Sequence, residues 1–103
     1  MLWQKKTYGI KLSHGRGQII TDSMFGIIQQ FTVVPEHKDT VWSIVVKDKH
    51  GDIIYQKTDM EGRMDDRQGL PVGQDTPEQL TVIIHDTTSN EKFNIMFKVR
   101  EAI

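Results

Sequence analysis

The apolar residues of this chain recur with a period of two far more often than at helical spacing, the signature of strands that bury one face. Over residues 41–47, Trp42, Ile44 and Val46 share one face, while Val41, Ser43, Val45 and Lys47 share the other, a mixed set suited to partial exposure. Ile53, Ile54 and Tyr55 begin the next strand, so Asp48, Lys49, His50 and Gly51 must form the turn. Asp at its first position can accept from the turn backbone, and Gly at its fourth can take positive φ. A second hairpin is expected over residues 80–100. There Leu80, Val82 and Ile84 alternate with Thr81, Ile83 and His85, and after a polar stretch Phe93, Ile95, Phe97 and Val99 alternate with Lys92, Asn94, Met96 and Lys98. Phe93, Phe97 and Trp42 are expected in the core.

The first third follows the same style less cleanly. Tyr8, Ile10 and Leu12 alternate with Gly9 and Lys11; the run Ser13-His14-Gly15-Arg16-Gly17 breaks the pattern, and Gln18 starts another strand. In the apolar stretch 26–34, alternation places Ile27, Gln29, Phe31 and Val33 on one face and Ile28, Gln30, Thr32 and Val34 on the other. A short helix over residues 22–30, capped by Asp22 or Ser23, is the rival reading there. Residues 58–77 hold Gly62, Gly69, Pro71, Gly73 and Pro77 among acidic residues and read as loop with one or two short strands, Pro71 suiting a sheet edge. The sum is an all-β chain of about seven or eight short strands, an antiparallel β-sandwich or jelly-roll-like fold.

Length and composition narrow the function more than they name it. The 103 residues fit one domain over 1–103. Without cysteine there can be no disulfide, thiolate metal site or cysteine nucleophile, and an intracellular or virion-associated setting is expected. A net charge of -1 supplies no field to draw the chain to nucleic acid or an anionic membrane, and neither a signal peptide nor a membrane-spanning run is visible.

Candidate chemistry is dispersed. His14, His37, His50 and His85 form no pair at the two- to four-residue spacings of local metal sites, so no metal and no cofactor are expected. Asp59, Glu61, Asp65 and Asp66 lack the calcium-loop spacing and sit among the counter-charges Arg63 and Arg67; nothing marks two of them as a glycosidase pair. Ser13, Ser23, Ser43 and Ser89 lack a nucleophile-elbow setting, and Gly15-Arg16-Gly17 is too short for a phosphate loop. No enzyme class is supported. Lys5, Lys6, Tyr8 and Lys11 beside Trp3 are too few for a nucleic-acid surface. Trp3 is expected either to pack across the sandwich or to contact a neighbouring chain, and Trp3, Tyr8 and Tyr55 are the candidate interaction surface.

The strand ending in residues 47–55, the turn at Gly62, Leu70-Pro71-Val72-Gly73 and the closing hairpin through Asn90-Glu91-Lys92-Phe93 resemble small β-sandwich proteins of tailed-phage virions. The resemblance implies a structural, decoration, tail or adaptor role and carries over no functional residue. The expected function is a non-catalytic structural or assembly module acting through protein–protein contacts, with other protein chains or itself, as a homo-oligomer, for partners. The alternative is a small carbohydrate- or peptide-binding module, with Trp3, Tyr8 and Tyr55 exposed around a concave surface.

Overall fold

A computed structural model describes residues 2–73, 75–87 and 89–101. These residues form eight strands: β1 (Leu2–Lys11), β2 (Gly17–Ile20), β3 (Gly26–Val34), β4 (Val41–Lys47), β5 (Ile53–Glu61), β6 (Met64–Val72), β7 (Thr81–His85) and β8 (Lys92–Glu101). The strands pair from the outside inward: β1 with β8, β2 with β7, β3 with β6 and β4 with β5, all antiparallel. The chain is thus one long hairpin about the turn at residues 48–52. Rolling it up places alternate pairs in two sheets, joined by the antiparallel contacts of β3 with β8 and β4 with β7. Sheet I has the order β1-β8-β3-β6 and sheet II the order β2-β7-β4-β5, so the expected sandwich is a jelly roll.

The core lies between the sheets. Phe31, Val33, Phe93, Ile95, Phe97 and Val99 of sheet I meet Trp42, Ile44, Val46, Val82 and Ile84 of sheet II, all wholly buried. Four connections, at residues 12–16, 35–40, 62–63 and 86–91, gather at one end of the roll, the last apart from Thr88, which lies outside the described residues. The 48–51 turn forms as its residues require. Asp48 Oδ1 accepts from the backbone N–H of His50 and Asp52, at 2.9 and 3.0 Å, and Gly51 takes a φ of 84°.

One rival reading is excluded and one expectation is corrected. Residues 22–30 form no helix, because Met24 is bridged to Glu78 by two backbone hydrogen bonds and β3 starts at Gly26, whose φ of 128° no helix accepts. The stretch 58–77 is more regular than its composition suggests: β5 runs on to Glu61 and β6 fills Met64–Val72, joined by a tight turn at Gly62. Both are edge strands, which need one apolar face and tolerate polar residues elsewhere, and Pro71 sits on the β6 edge, where its missing N–H leaves no ladder bond unmade.

Face assignment in β3 also departs from plain alternation. The register on both sides of β3 slips between Ile28 and Gln30: against β8 Gln29 is an extra residue, whereas against β6 the extra residue is on β6, where Gln68 and Gly69 together oppose Gln29. The bulge turns Ile28 inward beside Phe31 and Val33 and leaves Ile27 exposed.

Candidate interaction surface

Two of the three singled-out aromatics face inward. Tyr8, half-buried on β1, meets Phe97 with ring centroids 5.9 Å apart; Phe97 meets Phe31 edge-on at 4.9 Å, and Phe31 stacks on Tyr55 at 4.2 Å. This aromatic row crosses the sandwich from flank to flank and ends in a tyrosine hydroxyl on each side. The Tyr8 hydroxyl donates to Asp22, which Lys6 also reaches at 3.1 Å. The Tyr55 hydroxyl donates to Asp66 at 2.6 Å, with Lys57 at 3.8 Å from the same oxygen. Burial, then the bond to the carboxylate, pushes both phenols above their ordinary range. The tyrosine bonds in turn hold Asp22 and Asp66 below the usual carboxylate range. Each open flank is therefore closed by a tyrosine, a carboxylate and a lysine. Lys6 and Lys57 lie on edge strands β1 and β5 opposite the inward residues Phe97 and Ile44, a placement that blunts an edge against strand addition.

Trp3 alone of the three stands in solvent, 52% exposed on the outer face of sheet I. The structure therefore does not bring Trp3, Tyr8 and Tyr55 to one concave surface. On β1 the odd residues Trp3 and Lys5 face outward while Lys6 and Tyr8 face in.

The histidines and acids stay apart: among the described residues no three His, Asp or Glu side chains gather as metal ligands. His14 occupies the turn after β1 with a φ of 57°, His50 the 48–52 turn, and His85 pairs with the adjacent Asp86 at 2.9 Å. In the acidic stretch, Asp65 pairs with Arg63 at 2.9 Å and accepts from Thr32 at 2.8 Å, as its counter-charges suggested.

Sequence reasoning passed over Glu91. Its side chain is 4% exposed, yet its carboxylate accepts from the Glu36 and His37 backbone N–H, from Thr40 and from Ser89, with His37 Nδ1 at 3.2 Å. Burial by itself would raise this carboxyl. The bonds from Ser89, His37 and Thr40 outweigh that effect and hold it at about 2. The Lys92 N–H donates back to Glu36 at 2.6 Å, so the 35–40 and 86–91 connections lock together. Thr40 continues the network, its carbonyl accepting from the Gly62 N–H at 2.9 Å while the Trp42 indole donates to the Gly62 carbonyl at 2.8 Å. Glu91 is a structural knot, with its oxygens occupied by the chain itself.

What remains open are the two outer faces. On sheet II the register aligns two outward rows: Gln18, Ile83, Val45 and Gln56, then Ile20, Thr81, Lys47 and Ile53. Ile20 and Ile53 are 63% and 54% exposed, and Lys47 is the one charge in these rows. On sheet I the corresponding rows are Trp3, Arg100, Ile27 and Pro71, then Lys5, Lys98, Gln30 and Arg67. The sheet II rows carry one charge, whereas the sheet I rows carry four, all positive.

No protein-family model matches the chain, and no curated protein matches it. Among solved structures it is similar to TmCBM61 in complex with beta-1,4-galactotriose, with a TM-score of 0.43 and 12% identity over 96% of this chain and 88% of that one. It is also similar to chains of infectious bursal disease virus. The Gt strain gives a TM-score of 0.36 and 9% identity over 93% of this chain, and the Gx strain 0.29 and 8% over 97%. The chain spans 32% and 34% of those two viral chains.

Proposed function

We propose that residues 1–103 act as one β-sandwich domain, a non-catalytic structural or assembly module whose contact surface is the outer face of sheet II. The observation that carries this reading is the pair of outward rows in which Ile20 and Ile53 stand exposed at either edge, with half-buried Val45 and buried Ile83 between the edges and Lys47 as the one charge, in a chain that is 26% charged. A solvated antiparallel face alternates apolar-in with polar-out, and an exposed apolar patch rimmed by polar groups marks a contact site. Gln18 and Gln56 supply the rim at either edge. The inward lysines of β1 and β5 disfavour partners that add a strand, which leaves docking face to face.

The occupant is a second copy of this chain. Four strands by five residues give a patch of about 300 Å², well under the roughly 800 Å² per partner of a standard stable interface. Such a contact is weak as a pair and becomes firm by repetition, as in a particle built from many copies. The resemblance to small virion proteins of tailed phages supports that setting, in a decoration, tail or adaptor role. Light scattering from 10 μM to 1 mM tests it: the mass rises above that of one chain with concentration, and Ile53→Lys holds it at one chain. A wild-type mass of one chain throughout would refute self-assembly through this face.

A second reading, a small carbohydrate-binding module, is favoured by one observation on the opposite sheet. Trp3 stands exposed over a shallow hollow of about 120 Å³ lined also by Gln29, Gln30, Arg67 and Lys98.

A further inference from the structure

Simple alternation would send Gln29 and Gln30 to opposite faces of β3. The extra residue at Gln29 instead lets both amides line one hollow with Trp3, Arg67 and Lys98. A bulge interrupts the ladder and re-aims a side chain, which is why bulges gather beside functional sites. Each amide carries donors and an acceptor, the complement of a sugar hydroxyl, which is both at once.

The charges around the hollow are arranged at a cost to the fold. Lys5 lies directly opposite Lys98, Lys98 opposite Gln30, and Gln30 opposite Arg67. Like charges facing each other across strands destabilise a sheet, and among the described residues no ion pair joins a carboxylate to Lys5, Lys98 or Arg67. An anion arriving from outside would relieve this repulsion. The Lys98 ammonium lies 4.9 Å from the Trp3 ring centroid, so a ring that displaces it from the indole brings its own acid group within the ammonium's reach. The same face runs on into a wider, mostly apolar hollow of about 400 Å³ lined by Val34, Ile95 and Met96 with Thr7, Thr32 and Asn94, which leaves room for a chain of several sugar units.

Resting on the carbohydrate reading, we propose that the Trp3 hollow binds an acidic polysaccharide: the indole stacks on one sugar ring, Gln29 and Gln30 bond its hydroxyls, and Lys5, Lys98 and Arg67 hold its carboxylate or sulfate groups. Single-stranded nucleic acid fits less well. Such sites stack successive bases on several aromatics within a broadly basic surface, whereas this face offers one indole on a chain of net charge -1.

The test is isothermal titration of the full chain at low salt with dextran sulfate, polygalacturonate, uncharged dextran, polyglutamate and a thymidine oligonucleotide. Dextran sulfate or polygalacturonate is expected to bind at least tenfold more tightly than dextran, polyglutamate and the oligonucleotide. Trp3→Ala and Lys98→Gln each weaken that binding at least fivefold, while Ile53→Lys on sheet II leaves it unchanged. Equal binding of dextran and its sulfate, lost in Trp3→Ala, would overturn the acidic preference and keep the sugar site. Absence of binding to every glycan would overturn both. Tighter binding to polyglutamate or the oligonucleotide, or binding indifferent to Trp3, would show charge without sugar recognition and overturn the proposal.

Discussion

Replacing Glu91 with Gln keeps the shape of the side chain and removes the charge on which five hydrogen-bonding groups converge. The carboxyl, ordinarily at 4.5, is held at about 2 in the folded chain. A folded pKa below the unfolded one contributes stability that is present above the unfolded value and is lost as pH falls through the folded value. The difference corresponds to about 3 kcal/mol at pH 7, of which roughly 2 kcal/mol is gone by pH 3. Glu91→Gln should therefore lower the unfolding free energy by about 3 kcal/mol at pH 7, and the gap to wild type should shrink to about 1 kcal/mol at pH 3. Other depressed carboxylates, Asp22, Asp65 and Asp66, are common to both proteins and cancel in the difference. Urea unfolding followed by tryptophan fluorescence at pH 7, 5, 4 and 3 supplies the curve. A gap below about 1 kcal/mol at pH 7, or one that stays constant with pH, would refute the role given to this carboxylate.

Glycines separate close approach from backbone strain. A Cβ on Gly62, at φ 67°, would stand 2.4 Å from the Lys38 carbonyl oxygen, whereas one on Gly51, at φ 84°, meets nothing within 4 Å. Gly51→Ala should cost about 1 kcal/mol and Gly62→Ala about 3 kcal/mol in denaturant titrations; equal costs would contradict the packing of Gly62 on the 35–40 connection. Tyr55→Phe retains the 4.2 Å stack on Phe31 but strips Asp66 of its strongest donor. It should cost about 1 kcal/mol and raise the Asp66 carboxyl toward its ordinary value in a carbon-detected NMR titration.

The fold was legible where one strand face alone is buried and the turn chemistry is local. Trp42, Ile44 and Val46, and Phe93, Ile95, Phe97 and Val99, point inward as their alternation requires. Asp48 and Gly51 shape the turn between β4 and β5 from within four residues of each other. Legibility failed where geometry depends on partners far along the chain. The Gln29 bulge arises in the pairing with β8, so alternation read from β3 alone put Ile27 on the face of Phe31 and Val33 and Ile28 on the opposite one. Edge strands β5 and β6 hid behind their Gly, Pro and acidic residues because a strand with one neighbour and one buried face needs few apolar positions. Glu91 reads locally as one more polar residue before an apolar strand; its partners Glu36, His37 and Thr40 lie more than fifty positions away. Of the candidate surface, Trp3 was visible as an aromatic near the chain start. Its union with Lys98, Gln29 and Gln30 needed the strand register, as did the burial of Tyr55 against Phe31.

The central claim is that the apolar outer face of sheet II is where copies of this chain meet, and backbone amide NMR spectra recorded at 20 μM and 1 mM test it most directly. Concentration should shift the amides of Gln18, Ile20, Val45, Ile53 and Ile83 and leave those of Trp3, Lys5 and Lys98 on sheet I in place. Spectra that superimpose at both concentrations, or shifts centred on sheet I or on the strand edges, would contradict it.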